Sequence, residues 1–153
     1  MEKEEYKDYR YRLALSHIPV VYVDGKFETF RQEWTALLNE MEIDICLSGH
    51  KHKLWPLMPG LAEPNAPLPG DEGSFLTDHQ FPNILVGRRS LTQAGGTQQD
   101  GYDQYTGLYV QVDLRAGKQT ACYMNSNYEI LDGNFPFTAE KFRNIQMELK
   151  RDR

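Results

Sequence analysis

The chain has 153 residues, long enough for one domain with a substantial core, and it is rich in aromatics, with nine Tyr, seven Phe and two Trp. Its net charge of −5 argues against nonspecific nucleic-acid binding, which needs clustered Lys and Arg to neutralise phosphates. No apolar stretch approaches the roughly 20 residues of a membrane-spanning helix. Met1-Glu2-Lys3-Glu4-Glu5 has no apolar signal-peptide core, which on that criterion alone points to the cytoplasm.

The first strand is expected over 11–16, where Tyr11, Leu13 and Leu15 alternate and the run ends directly at His17. Phe27, Phe30, Trp34, Leu37, Leu38 and Met41 then recur at helical spacing and predict an amphipathic helix over 27–41 with these residues in the core. A second strand over 43–47 follows after a short connection. Strand, helix and strand together predict a parallel crossover. Residues 54–82 hold six prolines and three glycines, and predict a long loop that forms a wall or lid beside the histidines.

Beyond it, 83–86 reads as a strand ending at Gly87, and 92–104 as a further loop. Leu108 to Leu114 and Lys118 to Met124 alternate strongly around Arg115-Ala116-Gly117, which predicts a β-hairpin, with a short strand over 128–131 after Asn125-Ser126-Asn127. A last helix capped by Thr138 is expected to present Phe142, Ile145, Met147 and Leu149. Cys46 and Cys122 lie in apolar runs and read as buried reduced thiols.

Chemistry is concentrated in Ser48-Gly49-His50-Lys51-His52. If the strand stays extended, His50 and His52 point the same way with Cα atoms about 6.5–7 Å apart. Ligands of parallel sheets gather beyond the carboxyl ends of the strands, and the crossover brings His17 to the same end. Imidazoles are common ligands of zinc and similar cations, so His17, His50 and His52 are the candidate metal ligands.

These blocks resemble the C-terminal half of a calcineurin-like metallophosphoesterase. Ser16-His17-Ile18-Pro19 and Ser48-Gly49-His50-Lys51-His52 match that family's two histidine blocks, and Trp34 to Leu38 and Ile43 to Leu47 fit between them. The likeness covers most of 10–135 and rests on 13–52. It implies an α/β, mixed α+β architecture, half of a four-layer αββα sandwich, with 1–153 as one partial domain. It also implies two divalent metals, manganese, iron or zinc, in the full-length protein, where they clamp the phosphate of a phosphomonoester or phosphodiester and activate the attacking hydroxide. By the same likeness His17 and His50 serve one metal and His52 the other.

The family's other half is missing from the sequence. There is no Asp-x-His, no Gly-Asp-x-x-Asp and no Gly-Asn-His; Gly70-Asp71 lies in the proline-rich loop, and Gly133-Asn134 is followed by Phe135 and reads as a turn. Three neutral histidines are a weak home for two cations, so the chain alone is expected to be inactive and to hold one metal or none, with no catalytic residue assigned. Half a sandwich exposes apolar strand faces, which predicts a homo-oligomer. The alternative is a non-catalytic metal-binding or interaction module. His79 reads as a surface residue, Arg88 and Arg89 either as surface residues or as bidentate contacts to a substrate phosphate, Asp24-Gly25 as a turn or as a partner that orients an imidazole, and the Phe27, Phe30, Trp34 stripe as core.

Overall fold

The computed structural model describes residues 9–23, 28–51, 53–60, 74–75, 78–87, 106–134 and 141–150. His52, Asp24, Phe27, Arg88, Arg89, Thr138 and the expected loop over 92–104 lie outside them, as does most of 61–77. In chain order the elements are β1 (Leu13–Ser16), β2 (Tyr22–Val23), α1 (Glu28–Glu40), β3 (Ile45–Ser48), β4 (Pro56–Leu57), β5 (Ser74–Phe75) and β6 (Asn83–Leu85). They continue with β7 (Thr106–Asp113), β8 (Lys118–Asn125), β9 (Ile130–Leu131), β10 (Gly133–Asn134), β11 (Lys141–Phe142) and β12 (Ile145–Glu148).

The first sheet has the order β1-β3-β6-β4, with β1, β3 and β6 parallel and β4 antiparallel. The β1–α1–β3 crossover is therefore present, in the register Leu13↔Ile45 to Ser16↔Ser48. The second sheet runs β12-β8-β7, all antiparallel, with β9 also on β8. Its hairpin closes because Asp113 Oδ1 accepts the N–H groups of Arg115 and Ala116, both at 2.9 Å, and Gly117 takes φ 68°.

Successive side chains of β3 face opposite ways, and this alternation separates two cores. Cys46 joins Leu38, Val20, Val21, Tyr22, Phe81 and Leu85 beneath α1. Ile45 joins Ile84, Ala121, Tyr123, Ile145 and Met147 between the two sheets. The result is helix on sheet on sheet, a mixed α and β chain with one helix among the described residues. No helix among them is long and apolar enough to cross a membrane.

Asp44 fastens the end of the sandwich remote from the histidines. Its buried carboxylate accepts the N–H groups of Arg12 and Lys150, each at 2.8 Å, while its carbonyl accepts Gln119 Nε2 at 2.7 Å. Those three bonds join the approach to β1, the exit from β12 and the start of β8 to one residue.

Four expectations are corrected. The last helix is replaced by strands: Ile145 and Met147 are buried while Gln146 and Glu148 are exposed, a period of two that lets β12 pair with β8. Part of the expected loop is strand, since β4 completes the first sheet and β5 pairs with β2 just after His17. Gly133-Asn134 is a strand paired with β11, and a Cβ on Gly133 would lie 2.6 Å from the Tyr123 ring. The aromatic stripe of α1 is not core: Phe30, Trp34 and Leu37 are exposed, and Arg31, Thr35 and Leu38 are the residues turned to the sheet. Both cysteines are free and buried.

Candidate metal centre

His17 follows β1 directly, and His50 lies two residues past β3. Because β1 and β3 are adjacent and parallel with Ser16 opposite Ser48, both imidazoles emerge at one carboxyl end of the sheet. They meet there: His17 Nε2 lies 3.3 Å from His50 Nδ1, and the rings are 5.2 Å apart in an edge-on arrangement at 76°. Both side chains are exposed, so a ligand can reach them.

The local backbone sets this convergence. Gly49 N–H donates to the His17 carbonyl at 3.1 Å, and Lys51 N–H to the Gly49 carbonyl at 2.8 Å. His50 takes φ 65°, in the left-handed region that costs a non-glycine residue roughly 1–2 kcal/mol. That conformation swings its ring toward His17. His50 therefore departs from the extended backbone of β3, which ends at Ser48, while His52 lies outside the described residues.

Asn83 holds the turn after His17 in place. Its wholly buried side chain accepts the N–H groups of Val20 at 3.1 Å and Val21 at 3.4 Å through Oδ1. Its Nδ2 donates to Ser48 Oγ at 2.7 Å and to the Cys46 carbonyl at 3.2 Å. One amide thus ties the chain beyond β1 to the end of β3. Sequence reasoning missed it; an amide opening an otherwise apolar strand was its only signal.

The nitrogen spacing fits two corners of one coordination shell. Two nitrogens about 2.0–2.1 Å from a tetrahedral cation lie about 3.3 Å apart. The same spacing suits one N–H···N hydrogen bond when no cation is bound. Among the described residues no group of three or more His, Cys, Asp or Glu is placed to hold a metal, so the pair accounts for part of one shell and not for a two-metal cluster. Cys46 does not contribute, since it faces the core beneath α1 and burial pushes its thiol up to about 11.

His79 is not the surface residue expected. It is buried against Phe81, whose carbonyl lies 2.7 Å from His79 Nδ1, and its Nε2 is buried without a hydrogen-bond partner. Desolvation lowers its pKa, so it is a neutral packing residue remote from the histidine pair. Comparison with protein families, with curated proteins and with solved structures finds no match to this chain.

Proposed function

We propose that this chain is part of a metal-dependent phosphoester hydrolase, to which it supplies imidazole ligands from His17, His50 and His52. The observation that carries this reading is the 3.3 Å approach of His17 and His50 at the carboxyl ends of two parallel strands joined by a helical crossover. The left-handed backbone of His50 adds support, because strain of that kind concentrates at functional sites. The carboxylates that two cations require come, on this reading, from polypeptide beyond this chain. So does the fourth layer of an αββα sandwich, of which α1 and the two sheets are three. Manganese, iron or zinc, when bound, supplies Lewis-acid activation of the phosphorus centre and of the attacking water. The substrate class is a phosphomonoester or phosphodiester.

Turnover of bis-p-nitrophenyl phosphate with manganese tests the proposal. The isolated chain is expected to be inactive. The longer polypeptide that the reading requires is expected to turn over and to lose about 100-fold or more on His50→Ala, since even groups that only orient ligands are worth 10–100-fold. Activity that survives both His17→Ala and His50→Ala would contradict it.

A second reading, a non-catalytic metal-binding module, is favoured by the absence of a carboxylate beside the two imidazoles among the described residues. Calorimetry separates the two. Tight zinc binding by the chain alone, lost in His50→Ala and in His52→Ala, is the result that favours the second.

A further inference from the structure

Five of the ten exposed large hydrophobic side chains among the described residues lie along one border of the first sheet. Among the described residues β1 is the terminal strand there, paired only with β3. On the face turned to the second sheet, Leu13 is 48% and Leu15 75% exposed, although their register neighbours Ile45 and Leu47 pack into the core between the sheets.

On the other face, α1 exposes Phe30 at 43%, Trp34 at 41% and Leu37 at 38%. These residues recur at i, i+4 and i+7, a single stripe along the helix. Asn39, about half a turn around α1 from Phe30, binds the segment leading into β6, through the Asp78 carbonyl at 2.9 Å and Gln80 N–H at 2.8 Å. With Arg31, Thr35 and Leu38 turned to the sheet, the stripe emerges on the opposite flank, the side of β1.

We propose that this border is the interface between two copies of the chain. A two-fold axis normal to the first sheet, beside β1, pairs β1 with its copy in antiparallel fashion. It also puts the two α1 helices side by side on one face. Strands pair about 4.8 Å apart and helices pack 8–10 Å apart, two strand spacings, so one axis satisfies both contacts. On the face turned to the second sheet Leu13 and Leu15 lie beside the same residues of the copy, and the helix stripe meets its own copy.

The area suffices. With about 200 Å² for a large side chain, the five exposed fractions amount to about 500 Å² per copy, or roughly 1,000 Å² for the pair, where specific interfaces begin. Main-chain pairing along β1 adds to this and removes an open strand edge. Glu33 flanks the middle of the stripe on its solvent side and faces its counterpart across the axis, a screened repulsion at the rim. The dimer stands whether or not His17 and His50 hold a metal.

Sedimentation equilibrium at micromolar concentration tests the interface, with circular dichroism to confirm that each variant is folded. The expected result is a dimer that tightens as salt screens the acidic rims. Leu15→Lys and Trp34→Glu, on the two faces of the border, are each expected to weaken it by about tenfold or more, the effect of about 1.4 kcal/mol. Tyr128→Ser, at a residue 83% exposed outside the border, leaves it unchanged. A monomeric wild-type chain overturns the proposal. So does a dimer that both border variants leave intact, or one that salt dissociates.

Discussion

His79 shows how the environment of one residue sets a property of the whole fold. Its imidazole is neutral where it sits: Nδ1–H donates to the Phe81 carbonyl, and Nε2 faces a buried surround. Burial lowers its pKa most strongly and Lys150 adds to the lowering, while the Phe81 bond and Asp78 act the other way. The folded state therefore binds a proton less readily than the unfolded chain, whose histidine titrates near 6.5. Stability is complete above that value and falls as the pH drops below it toward the folded pKa. Thermal unfolding followed from pH 8 to pH 5 is expected to show this decline, and His79→Phe to flatten it. A wild-type melting temperature that stays constant over this range contradicts the assignment. Nothing in Thr77-Asp78-His79-Gln80 announces burial, which comes with the packing of the ring on Phe81 and the approach of Lys150 from the far end of the chain.

At the scale of elements, α1 ends on a motif that calls for glycine and has glutamate. Ile43 N–H reaches back to the Leu38 carbonyl at 3.4 Å and Glu42 N–H to the Asn39 carbonyl at 3.0 Å, while Glu42 takes φ 51°. Leu38 and Ile43 make the apolar contact that accompanies such an ending. Glu42→Gly removes the left-handed strain and is expected to stabilise the fold by about 1 kcal/mol, read as a higher urea midpoint. A lower midpoint contradicts the cap. The β1–α1–β3 unit itself is legible in the sequence, since alternation, helical spacing and a short connection all point one way. The orientation of α1 is not. Periodicity finds the stripe of Phe30, Trp34 and Leu37, but it is silent on which side the sheet lies. Here the sheet is met by Arg31, Thr35 and Leu38, and the Arg31 guanidinium sits 5.9 Å over the Tyr22 ring. The segment ending in β12 is misread for a different reason. Phe142, Ile145 and Leu149 suit a helix, yet Ile145 and Met147 also alternate, and pairing with the free edge of β8 decides the matter.

For the whole molecule, two features coincide at one side of the first sheet. The carboxyl end of β1 brings His17 to His50, and the length of β1 carries the uncovered apolar border. Among the described residues β1 is the terminal strand of this sheet, and its pairing with β3 sets the histidines together. The candidate site was partly legible: His17 and His50 are named by their strand ends, and the crossover unites them. Their direct approach depends on the left-handed turn at His50 and on the Asn83 amide, which are matters of tertiary structure. The most direct test of the account is a zinc titration of the longer polypeptide that the proposed function requires, with nitrogen-15-labelled histidine, followed by the imidazole resonances. His17 Nε2 and His50 Nδ1 are predicted to move together to metal-bound positions while His79 stays still. Resonances of His17 and His50 that do not move, or that move independently of each other, would contradict a shared metal site.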